Sequence, residues 1–170
     1  MDRKEIIMLP VVVNSPIYYD LLYAYLMCIA DENNIVYAKQ QNFEVISKTL
    51  GISEKALEGW MNEFCISKIF WQDINTLDCE MRQYDPKITI SLPTDLLWKL
   101  IKTKRKNILN VYIYLRLKYV EAHKPFNIRW VDVSRYSGAS TKTVKKYMAK
   151  LQELGLIKYE GTSVSWVEES

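Results

Sequence analysis

From Ser134 to Gly161 the chain reads SRYSGASTKTVKKYMAKLQELGLIKYEG. Gly138 is a turn residue and Ser140 a helix cap, apolar side chains then recur at helical spacing (Val144, Tyr147, Met148, Leu151), and Gly155 closes the helix. The segment Gly138 to Ile157 has an earlier copy. It aligns without a gap on Gly51 to Phe70 (GISEKALEGWMNEFCISKIF), 87 residues upstream. Gly51, Ser53, Lys55 and Met61 fall on Gly138, Ser140, Lys142 and Met148, and the stripe Leu57, Trp60, Met61, Phe64 falls on Val144, Tyr147, Met148, Leu151. The outer dressing changes sign. Where the second copy has Thr141, Lys145, Lys146 and Lys150, the first has Glu54, Glu58, Gly59 and Glu63.

The repeat extends outward from this pair. At the same offset Phe43, Ile46, Ser47 and Lys48 lie on Trp130, Val133, Ser134 and Arg135, and further back Tyr23 to Leu26 lies on Tyr112 to Leu115 at an offset of 89. In the first half, Ser15 is placed to cap a helix beginning at Pro16, with Ile17, Leu21, Leu22, Tyr25, Leu26 and Ile29 as its stripe. A short strand over Ile35 to Ala38, a helix over Asn42 to Thr49, the Gly51 turn, a helix capped by Ser53 and a hairpin of Ile69–Gln72 with Leu77–Met81 follow. In the second half the order recurs: a helix striped by Ile108, Val111, Tyr112, Leu115 and Tyr119, a strand over Phe126 to Ile128, a helix over Trp130 to Tyr136, the Gly138 turn, the Ser140-capped helix, and a hairpin of Ile157–Tyr159 with Ser163–Val167. Between the halves, Asp85 to Pro93 holds two prolines and a strand-like Ile88–Ser91, and Thr94 is placed to cap an extra helix over Asp95 to Lys102. The predicted domains are 1–85 and 86–170.

Composition bounds the rest. With 170 residues, 49% of them apolar, the chain has material for one ordinary core or two small ones, and the repeat favours two. The net charge of +3 hides a split, since residues 1–85 carry 7 Lys/Arg and 13 Asp/Glu while residues 86–170 carry 16 and 7. Such asymmetry points to a polyanion on the basic half. Three cysteines, Cys28, Cys65 and Cys79, without C-x-x-C spacing indicate neither a disulfide framework nor a zinc site, and they read as small core side chains. No signal or membrane-spanning pattern is found: Ile6–Val13 is short and broken by Pro10, and Ile17–Ala30 is too short and holds Asp20. A soluble, cytoplasmic protein is expected.

Helix, short strand, helix, Gly-turn, helix and hairpin, carried most specifically by Ser134 to Gly161, resembles the winged helix-turn-helix superfamily. The resemblance implies a mainly α chain with small β-hairpins (α+β), built as two tandem winged helix-turn-helix domains, with the helix after the Gly138 turn lying in the DNA major groove. On a helical wheel Val144, Tyr147, Met148 and Leu151 share one face, and Lys142, Lys145, Lys146 and Ala149 fall on the other. DNA contact is therefore expected from Ser140, Thr141, Lys142, Thr143, Lys145, Lys146 and Lys150, with Arg135 on the preceding helix and Lys158 near the wing adding backbone contacts. The same face also reads as an ordinary solvated lysine helix; its occurrence with the turn, the cap and the hairpin in order favours DNA. Arg129 and the run Lys102, Lys104, Arg105, Lys106 are weaker candidates.

In the first copy, Glu54, Glu58 and Glu63 repel phosphate, so Glu54, Glu58, Gly59 and Asn62 are assigned to protein contact, through self-association or a replication or transcription protein; the other reading is a degenerate winged helix that simply packs on the second domain. Mid-helix Gly59 marks either a close backbone approach or a tolerated weak spot. No catalytic constellation is found: the single histidine, His123, sits in a hinge-like segment, and Asp73 with Asp78 lacks a third metal ligand. No metal, cofactor or small-molecule ligand is expected, and no membrane. Paired winged helices of this kind look like those of plasmid and phage replication initiators and DnaD-type replisome organisers, in which one domain engages DNA and the other mediates assembly. The function expected is therefore double-stranded DNA binding in replication initiation or transcriptional regulation, without enzymatic activity. The alternative is an interaction module, such as a mobile-element inhibitor, that kept the fold without binding DNA.

Overall fold

Chain order begins with strand β1 (Glu5–Met8) and helix α1 (Tyr19–Ile29), whose Leu21, Leu22, Ala24 and Leu26 are buried. The structure, a computed structural model, describes residues 5–8, 19–82, 90–122 and 124–167. The predicted start of the first helix at Ser15 and Pro16, its stripe residue Ile17, and His123 lie outside the described residues. Next come β2 (Ile35–Val36), a single 3-10 turn (Ala38–Gln40), α2 (Phe43–Leu50) and α3 (Glu54–Ile66). The hairpin β3 (Phe70–Gln72) and β4 (Cys79–Met81), then β5 (Ile90–Pro93) and α4 (Thr94–Lys102), complete the first series. The second series is α5 (Ile108–Ala122), β6 (Phe126–Asn127), α6 (Trp130–Ser137), α7 (Thr141–Glu153), β7 (Ile157–Glu160) and β8 (Ser163–Trp166). Among the described residues the architecture is mixed α+β, with seven α-helices and two small antiparallel three-stranded sheets.

The sequence repeat is a structural repeat. α2 and α6 each run eight residues and end at a glycine with φ +70°, Gly51 and Gly138, whose N–H groups donate to the Ser47 and Ser134 carbonyls. A residue with a Cβ resists that left-handed conformation, which is why glycine stands there. Two residues later the chain is extended, and the hydroxyls of Ser53 and Ser140 accept hydrogen bonds from the N–H groups of Ala56 and Thr143. α3 and α7 are both thirteen residues long and keep the offset of 87 throughout. The sheets agree as well: their orders are β2-β4-β3 and β6-β8-β7, so in each the first strand pairs with the far strand of the hairpin. The hairpin loops differ. β3 and β4 are joined by residues 73–78, whereas β7 and β8 are joined by Gly161 and Thr162 alone, with Gly161 at φ +59° taking the first loop position.

The chain separates into two compact units, and the boundary falls between Lys106 and Asn107 rather than at 85/86. α4 packs against α1 and α2, with Leu97, Leu100 and Ile101 fully buried and Trp98 set edge-on to Tyr25 at 5.6 Å. That packing, which no local pattern encodes, draws the basic run Lys102–Lys106 into the first unit. The charge count shifts with it, to 13 Lys/Arg against 14 Asp/Glu in the first unit and 10 against 6 in the second. The wide charge split was thus a product of the boundary.

Each unit has its own core. In the first, Val36, Ile46, Leu50, Leu57 and Phe64 are buried, along with the α1 residues above. In the second, Val133, Val144, Met148, Leu151, Ile157 and Val164 are, and Trp166 is held against α5 by stacking on Tyr119 at 5.3 Å beneath the Arg116 guanidinium. The cysteines differ from expectation. Cys79 is buried, which pushes its thiol up to about 11, but Cys65 is exposed on α3. α4 starts at Thr94 itself, after Pro93, so Thr94 is not the capping residue.

Two tests follow from this packing. Beyond its own helix, no described residue comes within 4 Å of the Cβ position of Gly59, so no close approach among the described residues explains it, and Gly59→Ala should raise stability by about 0.5–1 kcal/mol. At Gly51 a Cβ would come within 2.7 Å of the Lys104 Cβ, so Gly51→Ala should lower stability by more than about 1 kcal/mol. Urea midpoints read both. The second test concerns Asp20 of α1, which has a buried carboxyl oxygen without a hydrogen-bond partner among the described residues, and burial pushes this carboxyl up to about 7. Below about pH 4 both states hold the proton, and between there and about 7 only the folded state does, so this group's contribution falls as pH rises through that window. Asp20→Asn should therefore gain stability over the native chain as pH rises from 4 to 7, measured by paired denaturant titrations.

Candidate nucleic-acid interface

α7 owes its orientation to the Gly138 turn and its phase to the Ser140 cap. Burying Val144, Met148 and Leu151 leaves Lys142, Lys145, Lys146 and Ala149 exposed, as the wheel predicts. Lys142 and Lys146 stand one turn apart with no ion pair or hydrogen bond among the described residues. Thr141, also exposed, opens the helix with no acidic residue in its first turn, so the positive end of the dipole is uncompensated. Arg135 on α6 and Lys158 on β7 are exposed as well.

Four of the expected contact residues have partners within the chain. The Ser140 hydroxyl donates to Thr143 Oγ1 at 3.0 Å while accepting from the Thr143 N–H, so its hydrogen is already committed and Thr143 is half-buried beside it. Lys150 is paired with Glu153 at 2.9 Å, its side chain only 25% exposed, one helical turn beyond the free lysines. Lys145 has its ammonium 5.3 Å from the centre of the Trp130 ring, which itself meets Tyr159 of β7 edge-on at 6.5 Å. Trp130 thus braces a surface lysine and the hairpin together. A second brace is the Gln152 side chain, which accepts from the Tyr159 N–H at 2.9 Å. The only sequence signal for either is an aromatic at a helix start, too common to be decisive. Arg129 leans on Asp132 at 3.9 Å.

The corresponding surface of the first unit carries Glu54, Glu58, Gly59, Asn62 and Glu63, all exposed on α3, followed by Ile66 at 73% exposure. Asp73 and Asp78 serve the backbone. Asp73 accepts from the Asn75 and Thr76 N–H groups, which hold its carboxyl below the usual range, and Asp78 accepts from the Ala38 N–H. No group of three or more His, Cys, Asp or Glu among the described residues is arranged to hold a metal, and no described helix is long and apolar enough to cross a membrane.

No family model, no curated protein and no solved structure matches the chain.

If Trp130 braces Lys145, ring current should shift the Lys145 ε-methylene protons upfield and leave those of Lys142 and Lys146 near ordinary values. Trp130→Leu should abolish the shift, read by proton–carbon correlation spectra.

Proposed function

We propose that the chain is a non-catalytic double-stranded DNA-binding protein of two tandem winged helix-turn-helix units, with α7 of the second unit as the recognition helix. The observation that carries this reading is the pair Lys142 and Lys146, free of partners on the outer face of a capped helix, with Lys145 braced between them and the packed stripe. A major groove about 12 Å wide admits one helix, and lysines a turn apart reach phosphates or guanine edges along it. Support for the winged fold comes from the recurring topology, in which a three-residue joint ties two helices and a hairpin shares its sheet with the strand before them. The first unit, with glutamates where α7 has lysines, serves protein contact. By the resemblance, the process served is replication initiation or transcriptional regulation of a bacterial plasmid or phage, in the cytoplasm.

If Arg135, Lys142, Lys145, Lys146 and Lys158 meet phosphate, log affinity for a duplex should fall by roughly four units per decade of salt. Lys142→Ala with Lys146→Ala should reduce that slope by about two, and Glu58→Lys should leave it unchanged. Mobility shifts over a salt series read this; binding indifferent to salt, or to the double variant, would sink the proposal.

A further inference from the structure

The hairpin β3–β4 holds apolar side chains in solvent. Trp71 is 50% exposed, Leu77 54% and Ile74, near the tip, 89%. Single exposed apolar residues are ordinary, but three within seven positions concentrate apolar surface on one hairpin. The loop is also held, not loose. Leu77 has φ +63°, a left-handed conformation that a branched side chain resists, and it is kept there by its N–H donating to the Asp73 carbonyl and by Gln41 donating to its own carbonyl. Around Trp71 the sheet face forms an open concavity of about 430 Å³ lined also by Ile35, Gln72, Asp73, Thr76, Asp78 and Glu80, with no cationic side chain among them. A partner that fits is cationic, with methylene stems long enough to cover an indole and an isoleucine.

The chain carries such a surface in the outer face of α7, where Lys142, Lys145 and Lys146 are exposed and no carboxylate intervenes. Like-with-like pairing of two hairpins would instead set Asp73, Asp78 and Glu80 against their own images. We infer that the β3–β4 hairpin of one copy docks on the basic face of α7 in a second copy, joining chains head to tail. This takes the protein-contact role of the first unit off α3, whose exposed glutamates offer little apolar anchor, and gives it to the hairpin, which has a tryptophan. The contact is heterologous, so every assembly keeps one unfilled hairpin and one unfilled α7 unless it closes into a ring. It shares α7 with the DNA reading but does not depend on it.

Complementation tests the geometry without DNA. In sedimentation velocity at low salt the full chain should grow in mass with concentration, and it should return to monomer at about 0.5 M salt. Ile74→Lys with Glu80→Lys should be monomeric, and so should Lys142→Glu with Lys146→Glu. Mixed in equal amounts, the two variants should form dimers and nothing larger, because the only intact hairpin then meets the only intact α7. A native chain that stays monomeric, assemblies that survive in either variant, or a mixture that stays monomeric would each overturn the inference. Duplex DNA should dissolve native assemblies; assemblies that pass complementation yet ignore DNA keep this inference and count against the DNA reading.

Discussion

The surface that each unit presents depends on one joint: a glycine held left-handed, a connecting residue, and a serine whose hydroxyl closes the next helix. Because Gly51 and Gly138 have the same φ, and Ser53 and Ser140 accept from equivalent N–H groups, α3 and α7 leave the joint at the same point and in the same phase. At about 100° per residue, phase fixed at the cap is phase fixed for all four turns. Leu57, Met61 and Phe64 are therefore buried where Val144, Met148 and Leu151 are. Between those positions Glu58, Gly59, Asn62 and Glu63 in one copy, and Lys145, Lys146 and Ala149 in the other, are left to solvent and so are free to diverge.

That freedom has been used locally rather than across whole units. Once α4 is counted with the helices it packs on, the first unit is nearly neutral and the second only moderately basic. What distinguishes them is a face of α3 with three glutamates against a face of α7 with three lysines, on scaffolds of the same order. Charges spaced along one helix lie within a Debye length of each other at physiological salt, so the local face matters more to a partner than the distant net charge.

The joint, both caps, both hairpins and the register of the repeat were legible in the sequence, because each is written in residues adjacent along the chain. What was not legible involved distant residues. The boundary at 106/107 depends on Leu97, Leu100 and Ile101 finding α1 and α2, while the prolines near residue 90 gave a stronger local signal for a boundary that the packing does not respect. Likewise the wheel gave the phase of Lys145 and Lys150 correctly. It could not show that one lies over Trp130, fifteen positions earlier, or that the other is half-covered and paired with Glu153. Ser140 was found as a cap, but capping and the bond to Thr143 occupy the hydroxyl expected to meet phosphate. Cys65 is exposed against expectation for a related reason: it falls at the end of α3, after the last buried turn at Phe64.

The hairpins show where the copies diverge most in backbone. The second unit turns its hairpin with Gly161 and Thr162, glycine meeting the positive φ at no steric cost, and nothing apolar is displayed there. The first unit spans residues 73–78 and places Leu77, not glycine, in a left-handed conformation, supported by Asp73 and by Gln41. A solvent-facing loop with no partner has no need of that support, since glycine or asparagine at the same position would relieve the strain and a polar residue at 74 would be better hydrated. The longer loop leaves Ile74 and Leu77 in solvent, while the Asp73 carboxylate is spent on the loop's own backbone. The hairpin thus shows apolar side chains beside carboxylates, whereas α7 shows lysines with its apolar stripe packed away, so the same joint leaves the two units with different surfaces.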